Sequence, residues 1–457
     1  MNADGLAKEM TQGPAARCIF RFALPLMFGN LFQQAYTFAD TVVVGQKLGM
    51  NALAALGSTE WLVFLAFGAI QGMTGGFCVA VAQAYGGKNF RELGCAVFNA
   101  GMLSVIMAGI FAAAGQTMIG SLVTILGTPG EIREMAGLYL KWLYAGIPVT
   151  FAYHLGASVL RTLGDSRTPF WAIALASMWN ILLDLCLVMF FGFGIAGAAG
   201  ATVMSQLLAA GFCWKRIAEE PALKGHWRNG PEWRLAKEQL RLGMPMAFQS
   251  MITAFGGLAV QSAVNSFGVV FVAGYTAANK LYGLLETAAS SYGHAVVTFV
   301  GQNVGARRPE RIRQGMRSAA VLGCLTAALM SAVMLFGGTG ILKCFLSGET
   351  AAVVQSLKIG TRFLQVLAAF FPFLYLLYIL RAGIQGLGNG LVPLLSSTMQ
   401  LIMRVGCALF LTRLVGCAAL FWGEAAAWLG ADLLLLLFWK RLYLPAVSLM
   451  NENKKIF

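Results

Sequence analysis

Long apolar runs succeed one another along almost the whole chain. They fall near residues 16–46, 51–82, 93–114, 132–158, 168–190 and 195–216, then near 237–266, 270–301, 315–336, 353–380, 391–411 and 416–439. A helix needs about 20 such residues to cross the hydrocarbon of a bilayer. Several runs exceed that length and predict tilted or bent helices that protrude from the lipid. The pattern predicts an all-α polytopic membrane protein with twelve transmembrane helices. One extended polar stretch, at 217–236, divides them six and six. The expected organisation is an N-terminal lobe over 1–216, a cytoplasmic linker over 217–236 and a C-terminal lobe over 237–457. The first ten residues, MNADGLAKEM, are polar and mixed in charge, so no cleavable signal is expected and the first span itself directs insertion.

Composition strengthens this picture. Of the 457 residues 58% are hydrophobic and 11% charged, where soluble domains carry about 25% charge. Disorder is excluded by the same balance. Nine Cys spread over this length exclude a disulfide-built secreted fold. The excess of 33 Lys and Arg over 19 Asp and Glu gives +14. These basic residues stand between apolar runs, which points to anionic lipid headgroups and not to nucleic acid. Lys88, Arg91, Arg161, Arg167, Lys215, Arg216, Arg307, Arg308, Arg311 and Lys440 fall on one alternating set of loops, and the other set is nearly bare. That bias places both termini in the cytoplasm of a multi-pass cell-membrane protein.

The halves repeat each other. FALPLMFGNLFQQ (22–34) matches LGMPMAFQSMITA (242–254), aligning Pro25 with Pro245. VAQAYGGKNFRE (81–92) matches FVGQNVGARRPE (299–310), aligning Gly86 with Gly305. LGDSRTP (163–169) matches LGNGLVP (387–393). Six spans per half keep one orientation through the repeat, so the lobes are expected to be related by an axis along the membrane normal, with a central cleft. The aligned Pro and Gly residues are candidates for structural or gating roles.

Ionisable groups inside spans are costly unless paired or wet. Asp40 lies in span one and Asp184 in span five. Asn180 shares a helix face with Asp184, and Tyr36 with Asp40. Tyr139 in span four and Thr202 in span six complete a polar set confined to the first half. Such a chamber can hold a proton between two carboxylates, or its oxygens can coordinate Na⁺. For the latter, Asp40, Asn180, Asp184 and Thr202 are the candidate ligands. In the second half Asn279, Tyr282 and Glu286 fall on one face of span eight, where Glu286 suits a cationic substrate, and these three with Tyr36 are the candidate substrate-cleft residues. No GxxxxGK[ST] loop is present, which excludes ATP hydrolysis by that route. No GxSxG, HExxH or dinucleotide fingerprint stands where a soluble catalytic domain would need it. The protein is not expected to be an enzyme or to hold a cofactor, and an ion gradient is left as its energy source.

Pro25, the AQAYGGKN turn after span two, the LRTLGDSRTP stretch (160–169) and the duplicated six-helix plan resemble the multidrug and toxic compound extrusion family, within a wider superfamily of multidrug, oligosaccharidyl-lipid and polysaccharide exporters. The resemblance covers about 12–450. It implies an antiporter that expels organic, mostly cationic and amphipathic compounds in exchange for H⁺ or Na⁺; a monomer in contact with membrane lipids is expected. It also implies that Asp40, Tyr139, Asn180, Asp184 and Thr202 take part in cation coupling. Some relatives keep acids in spans seven and ten. The matching positions here are Thr253 and Leu374, so no site of that type is expected. A flippase for lipid-linked oligosaccharide precursors and a lipid-modifying membrane enzyme are the alternatives. The first would need a more basic cleft, the second an interfacial catalytic cluster.

Overall fold

The computed structural model describes residues 9–125, 128–225, 230–346 and 350–452, all helical or in short connections. The first half runs α1 (Ala15–Leu48), α2 (Met50–Gly86), α3 (Phe90–Ile125), α4 (Gly130–Ala145), α5 (Ile147–Thr162), α6 (Arg167–Asp184) and α7 (Gly194–Glu219). The second runs α8 (Trp233–Asn265), α9 (Val269–Gly305), α10 (Pro309–Ala332), α11 (Gly338–Phe345), α12 (Thr350–Gly386), α13 (Leu391–Gly406), the short α14 (Thr412–Val415) and α15 (Ala418–Glu452). Single π-helical turns follow α6, α10 and α13, at Leu185–Phe190, Val333–Gly337 and Cys407–Leu411.

Among the described residues nine helical segments are long and apolar enough to cross a membrane, and α4 with α5, bent by 50°, makes a tenth. α8 and α9 are long enough but too polar. The first opens with Arg234, Lys237, Glu238 and Arg241 and holds Gln249 and Gln261 in its uncharged remainder, and the second carries Asn279, Lys280 and Glu286 near its middle. The outward faces of the spans are apolar, with Phe190, Phe336 and Leu414 more than 80% exposed. The chain is an all-α, multi-pass membrane protein.

The chain divides into two compact units. One comprises Leu24–Ala247 with the segment ending at Glu9, the other Met10–Ala23 with the chain from Phe248 onward. The divisions therefore fall inside α1 and α8, within two residues of Pro25 and Pro245. Each proline interrupts the backbone ladder of its helix, since it has no N–H to donate.

The sequence repeat reappears as repeated backbone geometry. Left-handed residues occur in matched pairs: Gly49 and Gly268 (φ 82° and 85°), Lys88 and Arg307 (55° and 52°), Gly164 and Gly388 (90° and 89°), Gly194 and Gly416 (60° and 64°). Their hydrogen bonds match as well. Asn89 donates to the Ala84 carbonyl and Arg308 to that of Asn303; Asp165 donates to Leu160 and Asn389 to Ile384. These are helix C-terminal turns in which a left-handed residue lets the chain reverse and satisfy the last carbonyls. In LGDSRTP, Asp165 Oδ1 then accepts from the amides of Arg167 and Thr168 at 3.0 and 2.9 Å, starting α6. Asn389 repeats this with the amide of Val392 at 3.1 Å.

Within the first unit, the start of α8 is held against α2 and α3. Asn99 exchanges hydrogen bonds with the backbone of Glu232 at 2.8 and 3.3 Å. The buried Gln239 amide donates to the carbonyls of Phe77 and Ala96. A Cβ at Gly76 would lie 2.5 Å from the Cα of Gly243, so α2 and α8 meet backbone to backbone. Within the second unit, Met10–Gly13 is strapped to the end of α9 and the start of α10. The Met10 amide donates to Gln302 at 2.8 Å, and Arg311 donates to the carbonyls of Met10, Gln12 and Gly13. The turn carrying Gly305 thus anchors the approach to α1.

Candidate functional site

Asp40 lies in the C-terminal half of α1, and Asp184 is the last residue of α6 before its π-turn. Four residues beyond each stand Val44 and Val188, which pack together in one apolar cluster with Ala52 and Ala198. One helical turn back from that contact, the two aspartates lie close enough for each to feel the other's carboxyl group. Asp184 is 0% exposed, Asn180 1% and Asp40 8%. Among the described residues, Oδ1 of Asp40, both oxygens of Asp184 and both amide atoms of Asn180 have no hydrogen-bond partner. Two carboxylates facing each other in a low-dielectric interior cannot both stay ionised without a proton or a cation. The π-turn after Asp184 relaxes the helix where this group sits.

The other first-half residues surround this pair. Tyr36 lies one turn before Asp40 and is half-buried, and Tyr139 on α4 is buried; both feel the charge of the two aspartates. Tyr36, Asn180 and Thr202 line one narrow cavity of about 20 Å³ together with Tyr153, Ser177 and Gln206. That is room for one water or a bare cation and not for an organic molecule. The Thr202 hydroxyl donates to the Ala198 carbonyl at 3.2 Å, which leaves its lone pairs for the cavity. Gln206 is oriented by the Thr150 hydroxyl at 2.6 Å. No set of three or more His, Cys, Asp or Glu side chains gathers as a metal centre among the described residues. The chemistry available is therefore that of two carboxyls with neutral oxygens, which fits a proton or a weakly held monovalent cation.

The second unit holds a different polar group. Tyr378 on α12 donates to Glu286 at 2.9 Å, and Tyr282 lies beside the same carboxyl. Asn279, one turn before Tyr282, is exposed. Arg404 on α13 pairs with Glu424 on α15 at 2.7 Å. Arg381 on α12 donates to Ser396 and Gln400, and Asp432 is buried nearby. Arg381, Glu424 and Asp432 were not among the residues singled out by sequence. Each is a single ionisable residue inside an apolar run, the signal that marked Asp40. His226, in the polar linker, lies outside the described residues.

The MatE family model matches residues 25–186 and again 245–409, beginning at Pro25 and Pro245. The chain belongs to the MatE family. This MatE chain is 29% identical over 427 residues to the probable multidrug resistance protein YpnP of Bacillus subtilis (strain 168), covering 93% of this chain and 91% of that one. It is 28% identical to the probable multidrug resistance protein YoeA of the same organism, over 77% of this chain and 76% of that one. In fold it is similar to a solved MOP superfamily transporter from Pyrococcus furiosus, with a TM-score of 0.89, 24% identity and coverage of 98% and 99%.

Proposed function

We propose that the protein is a secondary active antiporter that exports organic, mostly cationic and amphipathic compounds in exchange for H⁺ or Na⁺. The observation that carries this reading is the buried set Asp40, Asn180 and Asp184, with five polar atoms lacking partners among the described residues. A carboxyl pair so placed in a membrane helix bundle needs a positive ligand, and a ligand that comes and goes changes which conformation is favoured. Tyr139 and Thr202 complete the coupling site. When Na⁺ is the coupling ion, Asp40, Asn180, Asp184 and Thr202 are its ligands; when H⁺ is, the carboxyl pair holds it. Glu286, Tyr282, Asn279 and Tyr36 are the residues that meet substrate.

The architecture proposed with this function has twelve spans in two six-helix lobes, 1–216 and 237–457, joined by the 217–236 linker. α8 and α9 supply the spans that apolarity alone does not mark, and their polarity is the expected cost of a working site in a membrane. Pro25, Pro245, Gly86 and Gly305 serve bending and turn geometry. The protein works as a monomer in contact with membrane lipid, with both termini in the cytoplasm. A cysteine at Arg313, exposed next to the strap-binding Arg311, should resist an impermeant thiol reagent added outside intact cells. Ready labelling there would reverse the orientation.

The buried basic residues do not favour transport of a lipid-linked pyrophosphate. Arg404 is bonded to Glu424, and Arg381 spends donors on Ser396 and Gln400. The deciding experiment reconstitutes the protein in liposomes and follows a fluorescent cation under Na⁺ and pH gradients imposed separately. Dye movement against its own gradient, driven by one of the two, is expected. Movement driven by neither would overturn the antiporter reading.

A further inference from the structure

The last helix carries a buried carboxylate that the proposed coupling site does not use. Asp432 in α15 is 3% exposed, and among the described residues neither of its oxygens has a hydrogen-bond partner. One turn earlier Trp428 is fully buried with its indole N–H also unpartnered, and its ring stacks on Tyr282 at 6.0 Å. α15 packs against α12 and α13. From α12, Arg381, itself 7% exposed, reaches the electrostatic neighbourhood of Asp432. Its donors point elsewhere: Nε and Nη2 contact Ser396 Oγ at 3.2 and 3.1 Å, and Nη2 contacts Gln400 Oε1 at 3.1 Å, both on α13. The remaining charged groups of the cluster are already matched. Arg404 of α13 pairs with Glu424, two turns before Asp432 on α15, and Tyr378 of α12 donates to Glu286 of α9.

An ionised Asp432 in this arrangement would be a buried anion beside a cation that is bonded to neutral oxygens. Such a charge is costly, because neither member gains the pairing that offsets its lost hydration. A protonated Asp432 removes that cost. Removing the proton makes the carboxylate a better partner for Arg381 than a hydroxyl or an amide, since charge-assisted bonds are about twice as strong. The guanidinium then has two sets of acceptors on two different helices.

We propose that Asp432 is a proton-binding site of the second unit, with Arg381 as its switch. In the protonated form Arg381 bonds to Ser396 and Gln400 and ties α12 to α13, as seen here. In the deprotonated form it turns to Asp432 and ties α12 to α15. A proton, and not Na⁺, is the ligand, because Arg381 already supplies a fixed positive charge at the site. Proton uptake at Asp432 stands on this geometry alone, whereas its use in driving transport rests on the antiporter reading.

The test needs neither substrate nor gradient. Infrared difference spectra of the purified protein in lipid nanodiscs, recorded through a pH titration, report protonated carboxyl groups. The wild type should show a titrating carboxyl band that is lost in Asp432→Asn and kept in Asp40→Asn. In Arg381→Gln that band should no longer vanish on raising the pH, because an ionised Asp432 would have no cation to meet. Should Asp432→Asn fail to fold, Asp432→Glu should move the band instead of removing it. An unchanged carboxyl region in Asp432→Asn would mean a permanent ion pair with Arg381 and would overturn the proposal, as would a band that responds to Na⁺ and not to pH. If the band behaves as expected while liposomes show no gradient-driven efflux, the antiporter reading falls and the proton site stands.

Discussion

The two halves repeat one backbone plan but handle buried charge in opposite ways. In the first unit Asp40 and Asp184 lie together with an amide and two tyrosines around them, and among the described residues no arginine pairs with them. In the second unit Glu286, Glu424 and Asp432 are accompanied by Arg381 and Arg404. The contrast is sharpest at the repeated π-turns. Asp184 stands directly before the first-half turn, whereas Arg404 stands three residues before its second-half counterpart. A fixed cation at the same place would repel a metal ion, whereas a proton on a carboxyl leaves no net charge there and tolerates one. Elsewhere in the first unit Arg216 pairs with the buried Asp165 and Glu220, but at Asp40 and Asp184 the proposed reading has a mobile ion supply the balance. The second supplies most of its balance from the chain, and in the proposed reading Glu286 meets a cationic substrate and Asp432 a proton.

The largest expected effect tests the first member of this comparison. Asp40→Asn or Asp184→Asn should reduce gradient-driven efflux to background in liposomes. Dye affinity in detergent should stay within about threefold of wild type, a change below 1 kcal/mol. Because each substitution removes one of two facing like charges, thermal stability should be equal or higher. Full gradient-driven efflux in both single variants would return these aspartates to a structural role.

Stability should respond the other way in the second unit. Glu424→Gln leaves Arg404 as a buried cation with its partner gone, which costs roughly 3–5 kcal/mol. The melting temperature should fall clearly, while Asp184→Asn should not lower it. Equal losses in both variants would erase the distinction between an uncompensated site and a paired one.

This contrast was only half legible in the sequence. The apolar runs locate the helices because every lipid-facing residue must be apolar whatever its neighbours. The repeat is visible in LGDSRTP and LGNGLVP because Gly164 and Gly388 occupy left-handed positions that other residues rarely take. Spacing along one helix also puts Asn180 beside Asp184. It does not say which helices meet, so the pairing of Arg404 with Glu424, on the next long helix, was hidden, and Arg381 and Asp432 went unnoticed in runs of leucine and alanine. The π-turns were hidden too, since no residue type demands them. The strap held by Arg311 shows the same limit: a basic cluster consistent with lipid headgroups turns several of its donors to the carbonyls of Met10–Gly13.

A smaller effect should separate substrate recognition from coupling. Glu286→Gln keeps a side chain that can accept from Tyr378 but removes the charge. Affinity for cationic dyes should fall about tenfold, equivalent to about 1.4 kcal/mol, with neutral compounds much less affected. Equal weakening of both classes, with a changed number of ions moved per dye, would transfer Glu286 to the coupling machinery and blur the two units into one site.

The smallest effect is expected at Thr202, and it decides which ion the first unit holds. Thr202 lines the cavity with Asn180 and Tyr36. Its hydroxyl hydrogen is committed to Ala198, so what it offers a ligand is a lone pair. A bare Na⁺ needs several oxygens to replace its water shell, and two carboxyls with one amide oxygen are too few to spare another. Thr202→Ala would then cost roughly 1 kcal/mol, as for one hydrogen bond, and raise the Na⁺ concentration for half-maximal efflux about fivefold. A proton needs only the carboxyl pair, so efflux driven by a pH gradient should be the same in Thr202→Ala and wild type. Measuring both drives in one set of liposomes separates the cases. A fivefold change confined to the Na⁺ drive assigns Na⁺ to Asp40, Asn180, Asp184 and Thr202. No change under either drive assigns H⁺ to the aspartate pair. Loss of both drives together would mean that the threonine holds the cavity open instead of ligating an ion, and the first unit would then depend on packing as closely as the second does.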